Sequence, residues 1–99
     1  MIDVAKQFAV LPGGRKGERG GERFRVDILV PALEQSECVE VDLDGTLGLG
    51  SSFLDEAFGG LVREHGFTAA QLKKRLKIKF SIVSYVDDCW GYINKARPA

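Results

Sequence analysis

The chain has one histidine, one methionine and two cysteines in 99 residues. Cys38 and Cys89 form no CxxC and stand in no Cys/His cluster, so neither a zinc site nor a disulfide framework is expected. A reduced pair suits a cytoplasmic protein. His65 is alone, and no serine or cysteine has an identifiable histidine partner in sequence. Nucleophilic catalysis of the Ser–His or Cys–His type therefore lacks support. No apolar run approaches the length of a membrane span, and no basic, apolar, small-residue leader opens the chain. Formal net charge is zero, so nothing global draws the molecule toward nucleic acid or an anionic membrane. No metal and no cofactor are expected. There is no internal repeat and no linker.

What is present is ordinary globular composition, 44% apolar and 28% charged, enough for one small domain over residues 1–99 with a single core. Residues 39–65 organise it. Val39, Val41 and Leu43 alternate with Glu40, Asp42 and Asp44, the period of a strand with one buried face. Gly45, Gly48 and Gly50 punctuate a turn. Ser51 or Ser52 is placed to cap the helix that follows, with Asp55 near a capping-box position. Phe53, Leu54, Ala57, Phe58, Leu61, Val62 and His65 form its apolar face; Asp55, Glu56, Gly59, Arg63 and Glu64 form the other. Gly59 and Gly60 in mid-helix each cost about 1 kcal/mol relative to Ala, which points to a close approach there.

The flanks are less uniform. Ile2, Val4 and Phe8 suggest a short first strand. Residues 12–21, PGGRKGERGG, read as a flexible surface loop. Residues 24–35 carry two patterns at once. Phe24, Val26, Ile28 and Val30 alternate like a strand, while Phe24, Ile28, Leu29, Ala32 and Leu33 make a helical stripe. Pro31 suits neither interior, costing a helix about 3 kcal/mol. Thr68 and Gln71 predict a capping box on a short helix over 69–76. Ile78, Phe80 and Ile82 predict a strand. Ser84 is placed to cap a last helix on which Val86, Cys89, Trp90 and Ile93 share a face.

Two stretches carry candidate chemistry. Asp42-Leu43-Asp44-Gly45-Thr46-Leu47 after an apolar strand spells the first motif of haloacid-dehalogenase-like phosphatases, in which one Asp is the nucleophile and the next the acid/base around Mg²⁺. Lys73 or Lys74 and the pair Asp87-Asp88 are candidates for its later motifs. That fold needs a larger sheet and a mobile flap where this chain has a helix, so acidic residues leaving a strand are the simpler reading. In the glycine-rich loop, Arg15, Lys16 and Arg19 are candidates for anion binding, although the GxxxxGK[ST] spacing is missing.

These same stretches resemble a known family. Pro12-Gly13-Gly14-Arg15, Phe24-Arg25, Leu29, Pro31-Ala32-Leu33, Val41-Asp42-Leu43-Asp44-Gly45, Gly48, Gly50 to Phe53, Glu56 to Leu61 and Trp90 are similar to the STAS-like domains of bacterial and prophage proteins, a family of unknown function. The resemblance implies an α/β layered fold, a mixed sheet of about three to four strands with helices packed on it, akin to anti-sigma-factor antagonists. It also implies that residues 24–35 are a helix containing Pro31. In the antagonists a serine at the start of the helix after a central strand is phosphorylated and switches binding; Ser51 and Ser52 hold that place, though in Gly50-Ser51-Ser52-Phe53 rather than after an Asp. A second departure is Gly20-Gly21-Glu22, which lacks the family's N-cap hydroxyl.

The expectation is thus a non-enzymatic regulatory module that binds a protein, of the kinase-like ATPase or anti-sigma-regulator type. Its surface would comprise Gly48, Gly50, Ser51, Ser52, Asp55, Glu56 and Gly59. The alternative is a Mg²⁺-dependent phosphatase or phosphotransfer fragment using Asp42 and Asp44.

Overall fold

The alternation of Val39, Val41 and Leu43 is realised as the middle of the sheet. In the computed structural model, which describes residues 1–98, β2 (Val39–Asp42) lies between β1 (Ile2–Asp3) and β3 (Leu76–Lys79). Both pairings are parallel, with Ile2 and Ile78 on either side of Val41, and Leu76 beside Val39. The expected mixed sheet is therefore a parallel one. Each connection between neighbouring strands runs through helices, and a parallel neighbour requires such a crossover. Ile2, Val39, Val41, Leu76 and Ile78 are buried together. The intervening Asp3, Glu40, Asp42, Lys77 and Lys79 fall on the opposite face, as the period of two dictates.

Among the described residues five helices complete the fold: α1 (Val4–Gln7), α2 (residues 21–35), α3 (residues 51–65), α4 (Ala69–Arg75) and α5 (Val83–Lys95). None is long and apolar enough to cross a membrane among the described residues. The two long helices share a construction. α2 has α-turns at Gly21–Phe24 and Val30–Gln35 around a π-turn at Arg25–Leu29. α3 has α-turns at Ser51–Leu54 and Gly60–His65 around a π-turn at Asp55–Gly59. The helix implied by the resemblance for residues 24–35 is present. In it the Val30 N–H reaches back to the Arg25 carbonyl, so the ladder is already widened just before Pro31.

Phe24, Phe53 and Phe58 are fully buried where α2 meets α3. Phe8 joins them, its ring centroid 5.4 Å from that of Phe24. α4 starts with the expected capping box, Thr68 with Gln71.

Four local expectations are corrected. Val4 and Phe8 do not extend β1: the Asp3 carboxylate accepts the Lys6 N–H at 3.2 Å and starts a helical turn at once. β3 begins at Leu76 and stops at Lys79, leaving Phe80 half-buried and Ile82 exposed, because the Ser81 N–H is bound by Asp44 instead of a strand. Ser84 lies inside α5, whose N-cap is Ile82. Ser51 and Ser52 cap nothing: the N-cap of α3 is Gly50, and both serines fall within the first turn.

Candidate functional site

The acidic turn after β2 is wired into the backbone. Asp42 Oδ1 accepts the Asp44 N–H at 2.9 Å, and Asp44 Oδ1 accepts the Ser81 N–H at 2.8 Å. That second bond, above all, holds the Asp44 carboxyl below its ordinary range. The Thr46 hydroxyl is buried and donates to the Leu43 carbonyl at 2.7 Å. Gly45 and Gly48 take positive φ in this turn, where an L side chain would be strained. Both carboxylates of the phosphatase-like motif thus shape the chain, and among the described residues no group of three or more His, Cys, Asp or Glu is placed to hold a metal ion. Lys73, Lys74, Asp87 and Asp88 are exposed on α4 and α5. The phosphatase reading gains no support from this arrangement.

Downstream, the expected surface divides. Gly48, Gly50, Ser51 and Ser52 are exposed. Asp55 and Glu56 are only partly so, being engaged by arginines. Asp55 accepts Arg15 at 2.9 Å and Arg63 at 3.0 Å. Burial pushes the Asp55 carboxyl up, but the hydrogen bonds and charges of the two arginines prevail and hold it below its ordinary range. Glu56 accepts Arg25 Nη1 at 2.8 Å and lies 3.8 Å from Arg15. Gly59 is buried beneath this network and presents no surface. A Cβ on it would stand 2.7 Å from both Arg63 Nη1 and Asp55 Oδ1.

The glycine-rich loop is folded onto the same network. Its backbone closes on itself through Gly13 to Arg19 at 2.9 Å and Gly21 to Gly14 at 3.0 Å. Of the three candidate anion-binding residues, Arg15 holds Asp55, and Lys16 holds Glu22 at 2.5 Å. Arg19 is exposed and forms no ion pair among the described residues.

The residue that sequence reasoning missed is Arg25. Only 3% of it is exposed. Its Nη1 binds the Glu56 carboxylate and the Glu56 carbonyl, and its Nε donates to His65 Nε2 at 3.1 Å. The π-turn explains the carbonyl contact. The Gly60 N–H reaches past Glu56 to the Asp55 carbonyl, and the guanidinium takes up the carbonyl it bypasses. His65 itself is largely exposed and serves as an acceptor; partial burial and then the Arg25 charge hold its pKa below the ordinary range. The sequence signal for Arg25 was indirect: a charge next to Phe24 in a helical stripe, and a glycine pair on the facing helix. Arg75 was missed too. It caps the C-terminal end of α2, donating to the carbonyls of Leu33, Ser36 and Glu37.

One surface feature stands apart from the ionic network. Val10, Leu11, Leu47, Ile82 and Val83 are exposed apolar side chains, Leu47 by 60% and Val83 by 65%. All five belong to the segments that leave the C-terminal ends of the three strands. The Leu47 N–H donates to the Val10 carbonyl at 2.7 Å, tying two of those segments together.

Compared with known proteins, residues 20–81 match a family model described as a STAS-like domain of unknown function (DUF4325). No curated protein and no solved structure matches the chain.

Proposed function

The chain belongs to the family of STAS-like domains of unknown function, and from that footing we propose that it is a non-enzymatic protein-interaction module with a regulatory role. The observation that carries this reading is a set of exposed apolar side chains, Val10, Leu11, Leu47, Ile82 and Val83, on the connections that follow the three strands, where the Leu47 N–H bonds Val10 and the Ser81 N–H bonds Asp44. In open α/β sheets, ligands bind outside the carboxyl ends of the strands. Apolar side chains grouped there lose contact with water when a partner covers them.

Ser51 and Ser52 are exposed in the first turn of α3, directly after the glycine turn that carries Leu47. A phosphate on either would add charge beside this surface, where the helix N-terminus tolerates an anion. Regulation by a kinase-like ATPase or an anti-sigma-type regulator, as in the antagonists to which the sequence resemblance points, is the form of switch this placement favours.

Immobilised wild type, Leu47→Ser/Ile82→Ser and Ser51→Asp, each incubated with extract of the source cells, test the reading. A discrete protein should be retained by wild type and lost from the double variant at unchanged melting temperature. Equal retention by wild type and double variant would sink the surface; equal retention by Ser51→Asp would remove the serine switch.

A further inference from the structure

β3 is the last strand of the sheet, with no strand beyond it among the described residues. The Lys79 carbonyl accepts the Leu43 N–H at 2.8 Å, so the alternation of a strand turns the N–H and C=O of Ile78 away from β2. An open groove runs along this outer edge. Leu76, Ile78 and Phe80 line it beside Val83, Val86 and Trp90 of α5, together with Lys77, Lys79 and one carboxylate, that of Glu40 on β2.

An unpaired edge invites another strand. A second copy is a poor one: β3 against β3 in antiparallel fashion brings the lysines of one copy next to those of the other, and like charges on adjacent strands repel. The inner edge of β3 shows what it does accept. There it pairs with Val39-Glu40-Val41-Asp42, with Glu40 opposite Lys77 and Asp42 opposite Lys79. The two lysines are exposed, and neither has a carboxylate within 4.0 Å among the described residues.

We propose that β3 is a docking strand for an extended segment of a partner protein in which apolar and acidic residues alternate. The segment joins the sheet as a fourth strand. Its backbone pairs with Ile78, its apolar side chains enter the groove against Val83, Val86 and Trp90, and its carboxylates stand beside Lys77 and Lys79. Backbone pairing supplies affinity, and the alternating side chains supply selectivity. This edge adjoins the loop surface around Leu47 and shares Val83 with it.

The test is a titration of the isotope-labelled full chain with a capped peptide Val-Glu-Val-Asp-Leu-Asp, the sequence of residues 39–44, followed by amide shifts and hydrogen exchange. Shifts centred on Ile78 and Phe80, with slowed exchange of the Ile78 amide, are expected. Binding should weaken about tenfold in Lys77→Glu/Lys79→Glu and less in Lys77→Gln/Lys79→Gln. The basic peptide Val-Lys-Val-Lys-Leu-Lys should leave the wild type unchanged. No shift at millimolar peptide, shifts centred on Leu47 or Ser51, or equal response to both peptides would overturn the proposal. So would concentration-dependent broadening at Ile78 without peptide, which would give the edge to a second copy.

Discussion

The guanidinium of Arg25 occupies the space that a side chain on Gly60 would need: a Cβ built there falls well inside van der Waals contact with Arg25 Nη1. Two helices are thereby joined through a missing methyl group. The first expectation follows from it. Alanine is the better helix former by about 1 kcal/mol, yet Gly60→Ala should destabilise the domain by roughly 2 kcal/mol or more, because it displaces a buried arginine bonded to Glu56 and His65. Gly59→Ala meets only the ends of the partly exposed Arg63 and Asp55 side chains, and should fall within about 1 kcal/mol of wild type. Urea denaturation of the two variants side by side is the measurement.

Asp42→Asn should leave the fold intact, since the amide oxygen still accepts the Asp44 N–H. Asp42→Ala removes that acceptor and should cost about 1 kcal/mol. Neither should alter hydrolysis of a generic phosphoester above background. Hydrolysis by wild type that disappears in Asp42→Asn would contradict a purely structural role.

Because Gly50 and not a serine caps α3, Ser51→Ala should change stability by no more than about 0.5 kcal/mol, less than the loss of a true cap. Ser51→Asp should be equal to or slightly more stable than wild type, an acidic group being favourable in a first turn. Thermal melts at low and high salt distinguish the two effects, as only the second is screened.

The His65 ring accepts a hydrogen bond from Arg25, which a protonated ring cannot do. Its folded pKa lies below the ordinary 6.5, so between those two values the unfolded chain binds the extra proton. Stability therefore falls as pH drops from 6.5 toward the folded value and then levels off. Asp44 and Asp55, held below 3.8, act in a separate and more acidic window. Denaturation measured between neutral pH and pH 5 should show the His65 slope in wild type and not in His65→Gln. A slope shared by both would assign it elsewhere.

The legible parts of this molecule are those governed by local period and punctuation. The β2 strand, the glycine turn, the apolar face of α3 and the Thr68–Gln71 box all follow from spacing. The end of β3 does not. Ile78, Phe80 and Ile82 keep alternating past the last ladder bond, and what stops the strand is a carboxylate on another segment, Asp44, that takes the Ser81 N–H. Residues 24–35 stayed ambiguous by pattern, since the widened turn before Pro31 removes the usual argument against a helix; the family resemblance supplied the answer. The anion-binding and interaction candidates rest on residue type and order alone. Which of them face water depends on Arg25, Arg63 and Arg15 reaching across the fold, and no spacing rule encodes that.

The matching π-turns bear on how the chain can change length. Each acts as one extra residue inserted into an α-helix, and each sits after four helical residues and before six. Excising one residue from the π-turn of α3 closes it to an ordinary α-turn, in which the helix ladder takes back the carbonyl that Arg25 now holds. The deletion therefore loosens the tie between the two helices without interrupting either one. The extra residue of α3 is thus bound up with Arg25 of α2, although some thirty positions separate the two helices.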